Sequence, residues 1–266
     1  MEYALEEIKK LVFSQDLEII KEIIVYEEVD STNTVGYELL KKGFPSGTVI
    51  IADKQTKGKG RLGRKWISPP GKNLYMSFAL KPNVPPKYAT LITLTTAIAC
   101  ITAIRRYTEV PVLTKWPNDL LLDSKKVGGI LTEMKIEEEK IKAAVVGIGI
   151  NINMTEKDIP EEIKEIATSL KIFKREEFPR PILAVEIIKE FDKWFQLLEK
   201  KDRKTIIDRW MSLSDTLGRE VKIVLSDREL TALAEAIDEE GMLIVKLEDG
   251  TYKKISVGDV TLLRAQ

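Results

Sequence analysis

One segment concentrates residue types that bind anions: Lys54-Gln55-Thr56-Lys57-Gly58-Lys59-Gly60-Arg61-Leu62-Gly63-Arg64-Lys65-Trp66. Its glycines let backbone approach a ligand closely, and its arginines and lysines can neutralise phosphate oxygens. The spelling G-x-G-x-x-G after a strand-like run would fit a dinucleotide loop only if a helix began there, so that its N-terminus faced the pyrophosphate. Ser68-Pro69-Pro70-Gly71 forbids a long helix, and Gly63 is followed by Arg64-Lys65 rather than the Lys-Ser/Thr of a P-loop. What remains is a cationic, glycine-rich loop. Trp66, just beyond it, offers a face on which adenine can stack. A solvated basic turn is the plainer reading of the same residues.

Three further segments could serve the same anion. In Lys115-Trp116-Pro117-Asn118-Asp119 a lysine ends an apolar strand, where its ammonium can be aimed; the alternative is a tight structural turn. Lys126-Val127-Gly128-Gly129-Ile130-Leu131 places two glycines inside a strand, which marks either a bulge or a close approach by ligand or backbone. In Gly147-Ile148-Gly149-Ile150-Asn151-Ile152-Asn153, alternation puts Asn151 and Asn153 on one side of an extended segment. Asn151 there could serve a magnesium ion or its waters, or simply end a strand.

These segments need a scaffold, and the chain is long enough to supply one. Its 266 residues, 44% hydrophobic, suggest one large domain or two unequal ones. Lysine plus arginine equals aspartate plus glutamate at 42 each, so no global field points to DNA or a membrane. The absence of histidine excludes a Ser-His-Asp triad and histidine metal sites. The single cysteine, Cys100, sits in an apolar run and reads as a small core residue of a cytoplasmic protein. No signal peptide is expected at the N-terminus, and no apolar run is expected to span a bilayer.

Apolar spacing predicts helices over 4–20, from Ser31 to Gly43, over 87–107, over Pro181–Lys200 and over 203–213. Strands are expected at Ile23–Val29, Thr48–Ala52, Leu74–Leu80, Val112–Trp116, Leu120–Leu122, Val127–Met134 and Ile141–Ile148. From Leu217 short strands alternate with turns at Ser226-Asp227, Glu240-Gly241, Asp249-Gly250 and Gly258-Asp259, the texture of a small barrel. The expected division is 1–214 and 215–266.

Taken in order, these segments resemble the biotin–protein ligase family. The resemblance rests on Asp30-Ser31-Thr32-Asn33, Gln55 with Gly58 to Trp66, Ser68-Pro69 with Gly71 and Asn73-Leu74-Tyr75, and Lys115 to Asp119. It continues through Lys126 to Leu131 and Gly149 to Asn153, then Leu217-Gly218-Arg219-Glu220-Val221 and Gly258-Asp259-Val260. It implies an α+β fold: a mixed β-sheet covered by helices, class II synthetase-like, followed by an SH3-like barrel. It also implies biotin and ATP as substrates with Mg2+, and a biotin carboxyl carrier domain as partner. By position, Ser31, Thr32, Asn33 and Gln55 would line the pocket for biotin's fused rings. Lys59, Gly60 and Arg61 would close over biotin and the adenylate phosphate, and Gly128 and Gly129 would give the ligand room. Lys115 would hold the carboxylate and α-phosphate. Arg64 and Trp66 would serve the adenylate, and Asn151 would lie near metal and phosphates. Lys115 and Arg61 would be the catalytic pair. Lys59 stands where the family more often has arginine, and so lacks the planar fork.

Rival readings are a lipoate or octanoate ligase, whose motif carries a histidine that this chain lacks, and a non-catalytic phosphate- or RNA-binding protein. A DNA-binding repressor would need a helix-turn-helix module, for which the roughly 22 residues before the first strand are too few. Exposed strand edges would allow a homodimer. Arg61→Gly should leave the fold intact but weaken retention of activated biotin by about 1.5–3 kcal/mol. Hydroxylamine trapping of released biotinyl-adenylate measures this, and unchanged release with unchanged carrier labelling refutes it.

Overall fold

The computed structural model describes residues 5–14, 16–224, 229–256 and 258–263. The turn expected at Ser226-Asp227 lies outside them. The chain begins with α1 (Leu5–Val12), which buries Ile8 and Val12 against α5 (Arg180–Glu199). The helix expected over 4–20 stops early for a tertiary reason. Asp192 of α5 is almost fully buried, and its carboxylate accepts the backbone N–H groups of Glu18, Ile19 and Ile20 at 2.7–3.2 Å. Those donors are committed to the carboxylate through a bend at Glu18-Ile19 and cannot feed a helix.

A seven-stranded sheet forms the body: β1 (Glu22–Val29), β2 (Thr48–Gln55), β3 (Leu74–Leu80), β4 (Leu113–Lys115), β5 (Asp119–Leu122), β6 (Lys125–Glu137) and β7 (Lys140–Ile150). Their spatial order is β1-β2-β3-β7-β6-β5-β4. β1 and β2 run parallel and every other pair is antiparallel, so the sheet is mixed. Alternation sends Ala144, Val146, Ile148 and Ile150 of β7 into the larger core, with α3 (Ala89–Thr108) and α5. Ala143 and Val145 go to the opposite face, under α2 (Thr32–Lys41). That same face continues as Gly147 and Gly149, where the side chains stop.

α3 corrects one expectation. The helical stretch Pro86–Thr108 is long and apolar enough, by length and composition alone, to cross a membrane. Most of it is buried inside the protein, so its apolarity belongs to a core helix packed on α5. Within the core Phe78, Phe191 and Phe195 stack, with centroids 3.7 and 5.1 Å apart.

After α4 (Leu170–Lys174), α5 and α6 (Arg203–Ser212), the chain enters an SH3-like antiparallel unit. Its strands are β8 (Glu220–Val224), β9 (Glu229–Ile237), β10 (Leu243–Lys246), β11 (Tyr252–Ile255) and β12 (Asp259–Leu262), ordered β11-β10-β9-β8-β12. It is seated on the body by Trp116, whose backbone N–H donates to Thr216 Oγ1 at 2.9 Å and whose indole N–H donates to the Gly241 carbonyl at 3.0 Å. Gly241 has φ +81°, and a Cβ there would lie 3.0 Å from Leu91 and Leu94 of α3. Glycine is therefore needed both for the turn and for the close approach. Phe191→Ala should lower stability by about 3–5 kcal/mol, because it opens a cavity in the aromatic stack. Urea unfolding monitored by tryptophan fluorescence tests this.

Candidate active site

A cavity of about 840 Å³ opens over the glycine end of β6 and β7. Its walls come from α2, the cationic loop, the strands β4 to β7, the 159–167 segment and residues 260–263 of the C-terminal unit. Of the residues expected in a site, Ser31, Thr32, Asn33, Gln55, Lys59 and Gly60 line it. So do Arg61, Arg64, Trp66, Lys115, Gly129 and Asn151. Gly128 does not: a Cβ there would meet the Gly149 carbonyl at 3.0 Å and Leu120 at 3.1 Å. Its missing side chain serves strand packing rather than ligand room, which corrects the expectation for that residue.

The cationic loop is a tight hairpin. Gly60 N–H donates to the Arg64 carbonyl at 2.7 Å and Trp66 N–H to the Gly58 carbonyl at 2.9 Å, with a single 3-10 turn over Arg61–Gly63. Gly58 has no room for a side chain, since a Cβ would fall 2.3 Å from the Trp66 carbonyl. The stem delivers Trp66 onto the glycine floor. A Cβ at Gly149 would sit 2.5 Å from the indole Cε2 and Nε1, and Lys126 Nζ lies 5.6 Å from the ring centroid. The indole N–H is buried and has no hydrogen-bond partner.

A polar network occupies one end. Ser31 is the N-cap of α2, yet its side chain makes no capping bond. Thr32 N–H and Oγ1 both donate to Gln55 Oε1, at 2.9 and 3.2 Å, and Gln55 Nε2 donates to Ser68 Oγ at 3.0 Å. Ser77, fully buried on β3, places its hydroxyl 2.7 Å from both Thr32 Oγ1 and Asn33 Oδ1. Asn33 Nδ2 donates to Glu133 Oε2 at 2.7 Å and to the Leu131 carbonyl at 3.2 Å. The side-chain amide fills the space that Gly147 leaves, where a Cβ would be 2.2 Å from Asn33 Oδ1. The sequence offered no signal for Ser77 or Glu133: Ser77 sits in an apolar strand buried along its whole length, and Glu133 among the half-buried residues of β6.

The other end is charged. Asp119, largely buried, receives Lys126 Nζ at 2.5 Å on one oxygen and Lys115 Nζ at 3.2 Å on the other. Arg61 donates from Nη1 to Asn118 Oδ1 at 2.9 Å and from Nη2 to the Gly258 carbonyl at 3.1 Å. The i,i+4 spacing of Lys115 and Asp119 marks no strand contact by itself; the turn between β4 and β5 brings them face to face. At the back, Asn151 Nδ2 donates to the Thr168 carbonyl at 3.0 Å, and Asn151 Oδ1 lies 3.4 Å from Asn73 Nδ2. Among the described residues no three carboxylate, histidine or cysteine side chains converge. The described residues thus form no carboxylate cage for magnesium.

Burial raises the Asp119 carboxyl, but Lys126 and then Lys115 outweigh it and hold the group below the usual carboxylate range. A carboxyl whose pKa is lower folded than unfolded contributes stability above the unfolded pKa, about 3.9, and loses it as pH falls through the folded value. The stability gap between the parent and Asp119→Asn should thus be constant above about pH 5 and shrink below about pH 4. Chemical denaturation of both proteins across that range checks it; a gap that widens on acidification contradicts the assignment.

Family models match in two places: the biotin/lipoate A/B protein ligase family over residues 25–151 and the biotin protein ligase C-terminal domain over residues 216–263. The bifunctional ligase/repressor BirA of Bacillus spizizenii is 34% identical over 251 residues, covering 94% of this chain and 77% of that protein. The biotin--[acetyl-CoA-carboxylase] ligase of Mycobacterium tuberculosis is 28% identical, covering 82% and 80%. Among solved structures, the biotin protein ligase from Aquifex aeolicus in complex with biotin and ATP superposes with a TM-score of 0.78 at 34% identity. It covers 92% of this chain and all of that one. With this fold, this cavity and these relatives, the chain belongs to the biotin protein ligase family and is an enzyme of the ligase class.

Proposed function

We propose that this enzyme activates biotin with ATP to biotinyl-5′-AMP and then transfers the biotinyl group to a lysine of a biotin carboxyl carrier domain in the cytoplasm. One observation carries the reading: a single cavity joins a neutral polar pocket to a cluster of cations. Biotin's fused ureido ring carries both N–H donors and a carbonyl acceptor, which suits the amide and hydroxyl set of Thr32, Asn33 and Gln55. Its carboxylate tail and the nucleotide phosphates suit Lys115, Lys126 and Arg61. The Trp66 ring lies beside those cations and offers a nucleotide base a face on which to stack. The Aquifex aeolicus relative, by its description, binds biotin and ATP.

In the first half-reaction a biotin carboxylate oxygen attacks the α-phosphorus. The new P–O bond forms as the bond to pyrophosphate breaks, and pyrophosphate leaves with the electron pair. The two reacting groups are both anionic, and lysine ammoniums between them offset that repulsion and the charge growing on phosphoryl oxygen. Asp119 keeps Lys115 and Lys126 on one side of the cavity, aimed before substrate arrives. In the second half-reaction the carrier's neutral amine attacks the anhydride carbonyl; the C–N bond forms as the C–O bond to AMP breaks, AMP leaves with the electron pair, and the amine's proton passes to water. Magnesium enters this reading only as a counter-ion of the ATP phosphates. Residues 1–214 are taken as the catalytic part and 215–266 as the unit that closes one wall. The buried Cys100 thiol, pushed up by burial, suits a reducing compartment.

Lys115→Ala should slow biotin-dependent exchange of labelled pyrophosphate into ATP by roughly two to three orders of magnitude. Lys115→Arg should recover part of the rate, since a wide guanidinium must fit where a compact ammonium sat. A turn lysine with no role in chemistry would give a lower melting temperature and normal exchange per folded molecule. That outcome would falsify the assignment.

A further inference from the structure

The polar network at the biotin end is closed on itself. Starting at the Trp66 carbonyl, in the stem of the cationic hairpin, it passes to Ser68 Oγ at 3.0 Å and on through Gln55 and Thr32. Ser77 and Asn33 carry it across the sheet to Glu133. Glu133 Oε1 then faces Lys59 Nζ at 3.8 Å, and Lys59 pairs with Lys65 in the same hairpin. Both ends of the circuit thus lie in one loop, and its middle is the pocket proposed for the ureido ring.

Glu133 is the weak link of this circuit. Its Oε2 is bonded to the buried Asn33 amide at 2.7 Å, whereas Oε1 holds an ammonium at a long distance. The Lys59 and Glu133 side chains are 43% and 32% exposed, so their attraction is screened by water and contributes little while the pocket is open. A ligand that seats on Thr32 and Asn33 fixes the amide, which fixes the carboxylate. A loop folded over that ligand also excludes water from the pair, and the same two charges then attract more strongly. Burial, and then the charge of Glu133, push the Tyr37 phenol up to about 12.

We propose that Glu133 is a positioning residue that couples occupancy of the Thr32–Asn33 pocket to closure of the cationic hairpin, acting through Lys59. It touches neither reacting group and belongs to binding rather than to the chemical step. The inference rests on the reading of that pocket as the biotin site.

The test uses the full chain. Trypsin cleavage at Arg61 and Arg64 is followed by mass spectrometry with and without biotin, and biotin affinity is measured by calorimetry. In the parent, biotin should protect both bonds. Glu133→Gln keeps an acceptor for Asn33 but removes the charge. It should bind biotin about ten-fold more weakly and lose the protection, a coupling of ordinary size. In pyrophosphate exchange the loss should fall mainly on KM for biotin rather than on kcat. Lys59→Gln should reproduce both losses; because Lys59 also lines the cavity, the double variant decides whether the pair acts together. The double variant should be no worse than either single one, as expected for residues acting as one unit. Protection retained in Lys59→Gln or in a folded Glu133→Gln overturns the inference, as do losses that simply add. A parent that binds biotin without gaining protection overturns this inference alone, and a folded parent that binds no biotin in the calorimeter overturns the biotin assignment of the pocket and the inference with it.

Discussion

The site exists because one face of the sheet loses its side chains over two turns of pleat. On β7, Ala143 and Val145 pack under α2, and the same row continues as Gly147 and Gly149. On the paired strand Gly129 lies opposite Gly149. Side chains at these positions would collide with Asn33 and Trp66, which instead lie directly on backbone. A β-sheet normally spaces whatever covers it by the length of its side chains. Here the covering layer sinks by that length, and the cavity is the volume released beyond it. The polar network, the hairpin stem and the placement of Trp66 all follow from that floor.

Charge is organised locally in a chain that is neutral overall. Asp119 holds two lysines, and Asn118 and the Gly258 carbonyl hold Arg61, so each of these cations is fixed by partners within the protein. Mutual repulsion among the ammoniums is offset by one carboxylate that cannot leave, because it is buried on a strand. The arrangement is preorganised in the sense that matters for catalysis: little reorientation remains when phosphate enters.

Much of this was legible in the residues. Leu74–Leu80 reads as a strand and is one, since an apolar run bounded by turn residues has few alternatives. The cationic loop was legible because glycine, proline and charge are strong punctuation, and twelve of the residues it and its companion motifs nominated line one cavity. Ser77 and Glu133 were not, because they act across 44 and 100 residues of chain. The helix read through residue 20 failed likewise: Asp192, more than 170 residues away, claims its donors. The double glycine at 128–129 looked like a single device, yet only Gly129 faces the cavity. Alternation assigns adjacent strand residues to opposite faces, and a motif read as a unit hides that.

The wall supplied by the C-terminal unit has a consequence for how the molecule comes into being. Residues 260–263 complete the cavity, and Gly258 anchors Arg61. A ribosome delivers the glycine floor, the hairpin and the lysines roughly a hundred residues before it delivers those last pieces. At about 5–20 residues per second, the nascent chain presents an open trough of backbone and cations for several seconds. Only when β12 pairs with β8 does that trough acquire its fourth side. Ligand held before then would sit in a half-built vessel, so tight retention of a reactive intermediate is a property of the finished chain alone.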